Sequence, residues 1–345
     1  MKKTKLVILG LFLLASCDVG STKNSTLQSP LPQESAIANT AQTEEKPLPV
    51  IQLTYISTCY GDSNCMYGMD VQGLDSEHPS FGASQQLFEI RSSGVLPNAP
   101  VIAGRWSPNG RKIALEAVGN NGQTDIFIGD GLRANWLNLT NSSNYEGDPN
   151  WSPSSQTIFF IGSTGEPNFR GAIFSSPIDG SNNDQLFRKL DSSFPSIDDF
   201  SLSPDGKRIV FSHTVDLYRQ LYIVDLDGSN LLQLTNREEE HRKPSFSPDG
   251  QWIIYLRQPN KDEFATHLYL VRPDGSEEQI IPVGALDLNE NASLNWSPIG
   301  NWIAFVSYNH QQGQMYIVHP DGTGLTSVNQ SGIDVSFLAW RTILP

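Results

Sequence analysis

The chain has 345 residues and carries 23 Lys and Arg against 37 Asp and Glu, a formal charge of −14. That surplus argues against nucleic acid and against direct contact with an anionic lipid surface, both of which would repel it. It fits a soluble body, or one that meets cations or basic partners.

The first 17 residues read as a targeting segment. Met1 to Lys5 is basic, and Leu6 to Leu14 is apolar but too short to span a bilayer. The stretch ends in Leu14-Ala15-Ser16-Cys17, which resembles a bacterial lipobox. The resemblance implies that Cys17 is acylated and becomes the N-terminus of an extracytoplasmic, membrane-anchored protein. Asp18 would then resemble an inner-membrane retention signal. An ordinary secretory signal with an incidental Cys is the alternative. Processing would remove three Lys and no acid, leaving a mature charge of about −17. Each buried methylene of an attached lipid contributes about 0.8 kcal/mol to anchoring.

Residues 18–48 are rich in Ser, Thr, Asn, Gln and Pro and lack apolar periodicity. Such a stretch cannot offset its chain entropy by burial, so a disordered tether reaching about 30 Å is expected. Of the three Cys, two remain, Cys59 and Cys65, placed by the strand pattern at a hairpin tip. An export signal and an even remainder suggest a Cys59–Cys65 disulfide, with two free thiols as the alternative.

From residue 51 onward the pattern repeats. Trp106-Ser107-Pro108-Asn109-Gly110, Trp151-Ser152-Pro153, Leu202-Ser203-Pro204-Asp205-Gly206, Phe246-Ser247-Pro248-Asp249-Gly250, Trp296-Ser297-Pro298 and Trp340-Arg341 lie 45, 51, 44, 50 and 44 residues apart. Periods of that size mark four-stranded propeller blades. After each phrase comes an alternating apolar run such as Arg208 to Phe211, then a second such as Leu221 to Val224. Asp-Gly pairs at 130, 179, 227, 274 and 321 follow, read as tight hairpins in which both residues tolerate positive φ. A third, more polar strand is expected at Asn138–Thr140, Gln185–Phe187, Gln233–Thr235, Glu278–Ile281 and Leu325–Thr326. The strand bearing the aromatic residue completes each unit.

The first unit has two strands, Ile51–Ser57 and Cys65–Val71, a third at Gln86–Arg91 after an insertion at Leu74–Ser84, and no aromatic-bearing strand. Val335 to Trp340 supplies it, closing the ring. The expectation is an all-β, six-bladed β-propeller of four-stranded antiparallel blades over residues 49–345, closed by the C-terminal strand. The combined pattern, best kept from Leu202 to Thr235, resembles the TolB-type, WD40-like propeller repeat and covers residues 51–340. The resemblance speaks for the fold and only weakly for function, since unrelated propellers share the motif, while rigid blades presenting loops on two faces suit recognition. It departs from TolB proper, where an α/β domain precedes the propeller, so that family's partner, the peptidoglycan-associated lipoprotein, is not carried over.

No nucleophile elbow, phosphate loop or zinc-type cluster is present. Only Thr342 to Pro345 follow the last strand, so an appended hydrolase domain is not expected. The six His residues read as scattered surface groups. The loops entering the aromatic-bearing strands are acidic: Glu146 and Asp148, Asp198 and Asp199, Glu239 and Glu240, Glu290, and Asp334. If those strands are innermost, the acids ring one mouth of the channel. They would then hold calcium, another cation or a basic peptide. Solvated carboxylates with local Arg and Lys partners are the alternative, and Arg242 and Lys243 sit beside Glu240. The leading expectation is a non-catalytic, monomeric binder of an envelope protein or polymer, with no cofactor and only the lipid touching the membrane. Alternatives are a lyase or glycan hydrolase at the channel mouth, which needs carboxylates about 5 to 9.5 Å apart or a converged metal site, and a structural spacer.

Overall fold

The computed structural model describes residues 49–58, 64–90, 101–130, 133–163, 171–181, 185–186, 197–259, 266–288, 292–309, 312–328, 335 and 337–344. Cys17, the tether, Cys59, Glu290 and Asp334 lie outside them. Among the described residues there is no helix, and six antiparallel sheets form the blades of a propeller. From the axis outward, blade 1 is Phe337–Ile343, Val50–Thr58 and Asn64–Gln72, with its outer edge split into Ser80–Phe81 and Gln85–Glu89. Blade 2 is Val101–Trp106, Lys112–Val118, Thr124–Asp130 and Arg133–Asn138. Blade 3 is Glu146–Trp151, Thr157–Gly162, Ala172–Pro177 and Gln185–Leu186. Blade 4 is Asp199–Leu202, Arg208–Val215, Tyr218–Asp225 and Leu232–Gln233. Blade 5 is Glu240–Phe246, Ile253–Gln258, His267–Val271 and Gln279–Ile281. Blade 6 is Leu294–Trp296, Ile303–Asn309, Gln312–Val318 and Thr326–Ser327.

The aromatic-bearing strands are innermost, and each touches the next around the axis until blade 6 meets blade 1. Second strands such as Ile253–Leu256 are buried on both faces, because each blade is sandwiched between neighbours. The aromatic residues peg these contacts: the indole of Trp151 donates to the Arg105 carbonyl at 2.8 Å and that of Trp296 to the Ser245 carbonyl at 3.2 Å. The Ser-Pro-Asp-Gly phrase is a β-turn. Gly206 donates its N–H to Ser203 O with φ 70, and Ser203 Oγ bonds both Asp205 and the Arg208 N–H. The Asp-Gly pair is a different turn from the one expected. Gly228 alone takes positive φ and donates to Asp225 O, while Asp227 Oδ1 accepts the Ser229 N–H. Outer strands also depart from expectation: blade 2's begins upstream at Arg133, and the blade 1 insertion adds Ser80–Phe81.

Two inner strands carry bulges with a visible cause. In blade 3, Asp148 and Pro149 together face Phe160, and in blade 5, Lys243 and Pro244 face Tyr255. A proline has no N–H to give to the ladder, so register slips there. The residue before each proline is left-handed, Asp148 at φ 49 and Lys243 at φ 53.

Ring closure follows the expected route. Phe337–Ile343 pairs antiparallel with Val50–Ile56, from Phe337 opposite Ile56 to Ile343 opposite Val50. Thr54 Oγ1 accepts from the Trp106 indole at 2.8 Å and donates to Ala339 O at 2.8 Å, joining three strands of two blades. Arg341 lies 4.2 Å above the Trp106 ring and donates to Gly110 O. A Cβ on Gly110 would sit 1.6 Å from Thr342 O, whereas one on Gly250, at nearly the same φ, would meet only Pro204 at 3.6 Å. In urea unfolding, Gly250→Ala should therefore cost about 1–2 kcal/mol, the left-handed penalty alone. Gly110→Ala should cost clearly more; equal losses would refute the closure contact as described.

Candidate functional site

The inner strands of blades 2 to 6 wall a cavity of about 60 Å³. One arc is charged: Arg105 from blade 2, Asp148 from blade 3, Asp199 from blade 4 and Lys243 from blade 5. The blade 6 wall is neutral, with Ser293 and Asn295. Charges and backbone interlock along the charged arc. Glu116, buried in the second strand of blade 2, accepts the Asp148 N–H at 2.8 Å and the Tyr145 hydroxyl at 3.0 Å. Asp148 accepts the Phe200 N–H at 2.9 Å and lies 3.5 Å from Arg105. Asp199 pairs with the Lys243 ammonium at 2.9 Å and accepts the Lys243 N–H at 3.3 Å. The N–H groups that the two bulges free from the ladder, those of Asp148 and Lys243, are thus taken up by carboxylates of the preceding blade.

Burial raises the Glu116 carboxyl above its ordinary pKa, against the pull of the Asp148 N–H. Asp148 is also raised by burial, only partly offset by Arg105 and Lys243. At Asp199 burial pushes up as well, but the ion pair and hydrogen bonds of Lys243 prevail and the pKa is lowered. Lys243 is raised, chiefly by Asp199.

Of the acids expected at the mouth, Asp148 and Asp199 line the channel. Asp198 and Glu240 both bind Arg219, at 3.1 Å each, and Glu240 also meets Arg242 at 3.5 Å. Glu239 pairs with Arg257. Glu146 departs from the expectation: it is buried and bonded to Ser142 instead of lining the mouth. Among the described residues, the acids expected at the mouth have intramolecular partners. Among the described residues, no group of three or more His, Cys, Asp or Glu is placed to hold a metal ion. The His residues are not all surface groups. His213 and His241 are buried beside Tyr222 and Tyr255, and the His319 ring lies tilted against Trp302 with centroids 3.6 Å apart. Glu116 was missed in the sequence, although an acid inside the apolar run Ile113–Val118 is a visible anomaly.

Residues 93–292 match the family described as the TolB beta propeller domain. The chain belongs to that family. An uncharacterized protein of Agrobacterium fabrum is 26% identical over 241 residues, 66% of this chain and 74% of that protein. An uncharacterized peptidase of Bacillus subtilis is 28% identical over 189 residues, 53% of this chain and 26% of the peptidase. A TolB homolog of Chlorobaculum tepidum is 35% identical over 122 residues, 34% of this chain and 26% of the homolog. The chain therefore spans about a quarter of those last two proteins. Among solved structures, TolB from Acinetobacter baumannii aligns with a TM-score of 0.65 at 18% identity, covering 84% of this chain and 66% of that one. A putative TolB from Agrobacterium tumefaciens aligns at 0.60 and 16% identity, covering 86% and 99%. At these identities the likeness to TolB is one of fold.

Asp199→Asn should destabilise this TolB-type propeller by about 1–3 kcal/mol at pH 7, since it strands Lys243 and weakens the bond to a freed N–H. Because the Asp199 pKa is lowered on folding, its contribution is present above the ordinary aspartate value and lost as pH falls. The gap to wild type in denaturant titrations should narrow below about pH 4; a gap that stays constant or widens there would contradict the pairing.

Proposed function

We propose that the chain is a lipid-anchored, extracytoplasmic TolB-like propeller that binds a protein or envelope polymer at the channel mouth and catalyses nothing. The observation that carries this is the state of the channel carboxylates. Asp148 and Asp199 are engaged by Arg105, Lys243 and backbone N–H groups, which leaves no spare base beside a free acid among the described channel-lining residues. Kinship with TolB-named proteins supports a binding role and an extracytoplasmic site. The lipobox-like Cys17 and the polar stretch 18–48 support an anchor and tether, and the acidic balance supports a basic partner and no nucleic acid. The protein is read as a monomer, with Cys59 and Cys65 oxidised together.

Radiolabelled palmitate should enter the wild type and not Cys17→Ala, which should leave the membrane fraction. Crosslinking in intact cells should recover one envelope component at stoichiometric yield with the wild type, and lose it when Asp198 and Glu240, the mouth acids paired with Arg219, are changed to Asn and Gln. Label in Cys17→Ala would sink the anchor; capture unchanged by the double variant would sink the mouth as the binding end.

One observation favours a glycan-cleaving alternative. Asp148 and Asp199 sit in the same cavity with pKa values displaced in opposite directions, as an acid and its partner would be. Turnover of a glycan panel that disappears in Asp148→Asn would establish it.

A further inference from the structure

Repeat-equivalent positions expose a pair of misfits. Five residues before each motif aromatic, or Leu202 in blade 4, the described blades hold Val101, Glu146, Ile197, His241 and Val335. Register confirms the equivalence for three of them. Val101, Glu146 and His241 pair with Ala117, Gly162 and Arg257, each four residues beyond the partner of its motif aromatic. Ile197 and Val335 each donate their N–H to a glycine carbonyl, of Gly171 and Gly313. All five are at most 5% exposed. Three blades thus fill the slot with an aliphatic side chain and two fill it with an ionisable one.

Neither ionisable group is fully satisfied. Glu146 Oε1 accepts from Ser142 Oγ, while Oε2 is buried without a partner. The charge facing it is Asp125, from the third strand of blade 2, whose carboxylate already holds Asn138, Thr140 and the Ser142 N–H. His241 Nδ1 contacts the carbonyls of Arg219 and Glu239, at 3.1 and 3.0 Å, and Nε2 is buried without a partner. Around it stand Tyr255, Arg257 on the paired strand, Glu239 on its own loop, Glu278 at the outer edge of blade 5, and Arg219 of blade 4.

We propose that these two slots make the channel wall respond to pH from opposite sides: ionisation of Glu146 releases the segment from Leu139 to Asp148, and protonation of His241 releases the segment from Leu234 to Lys243. Each segment ends at a left-handed, channel-lining residue, so each slot governs one side of the charged arc. A slot built for an aliphatic side chain is sealed from solvent and disfavours a charge, and at His241 burial outweighs the attraction of Glu239 and Glu278. Burial and Asp125 raise the Glu146 pKa to about 7, and burial lowers that of His241. A raised carboxyl contributes stability below its unfolded value that is lost as pH rises through about 7. A lowered His contributes stability above its unfolded value that is lost as pH falls. The Glu146 segment is therefore tightest on the acid side and the His241 segment on the basic side. If the mouth is the binding end, this device regulates that site, but the device itself is read without any partner.

The test is amide hydrogen exchange in the full-length protein, corrected for intrinsic rates, in wild type, Glu146→Gln and His241→Gln. Relative to Glu146→Gln, opening of the Leu139–Asp148 amides in wild type should rise about tenfold between pH 6 and 8 and then level off. Relative to His241→Gln, opening of the Leu234–Lys243 amides should rise as pH falls below about 6.5. Each change should be confined to its own segment. Wild-type and variant profiles that run parallel across pH would overturn the proposal. So would changes spread evenly over all six blades. Should a variant fail to fold, the side-chain carboxyl carbon (Cδ) resonance of Glu146 in wild type decides: a midpoint near 7 supports the proposal and one near 4.5 refutes it.

Discussion

A blade has two apolar faces and can cover neither by itself. Ile303 to Val306 in blade 6, for example, are buried only because blades 5 and 1 stand on either side. Everything else depends on that mutual cover, and it is complete only when the ring is. The strand Phe337–Ile343 does this by completing a sheet begun almost three hundred residues earlier, and Thr54, Trp106 and Arg341 then tie that sheet to the next. The recurring aromatic is the unit of the same construction, a ring wedged between blades, with the indole N–H of Trp151 and Trp296 given to the neighbouring backbone and that of Trp106 to Thr54.

The channel follows from the wall that closure creates. Where Pro149 and Pro244 interrupt the inner ladders, the backbone turns left-handed and an N–H is freed into a space lined by charge. Carboxylates of the preceding blade take up those donors, and cations then balance the carboxylates. The acidity that draws the eye in the sequence therefore serves first to hold successive blades in register. What faces the lumen is a nearly compensated arc opposite a neutral wall.

The period, the blade count, the inner position of the aromatic strands and the closing strand were all legible in the sequence, because each rests on a local pattern repeated many times. The fate of single residues was not. Glu146 and Asp148 are two residues apart and both acidic, yet one is sealed in an aliphatic slot and the other lines the channel. The bulge at Pro149 and the facing Asp125, more than twenty residues upstream, decide that difference. His241 is hidden in the same way, since a histidine among Glu239, Glu240 and Arg242 reads as surface until the register is known. Aligning the copies residue by residue would have exposed both, as charges at a position otherwise held by Val and Ile.

Splitting blade 1 between the two ends of the domain also sets an order of events. During synthesis Val50–Thr58 emerges first and its partner Phe337–Ile343 last, so one sheet edge must wait open while five blades are made. An open edge invites pairing with other chains, and the contact that satisfies it spans nearly the whole sequence, the slowest kind to form. Blade 1 is then the last to gain protection from exchange as the molecule matures, and the place where a stalled or clipped chain would first find a neighbour's strand in place of its own.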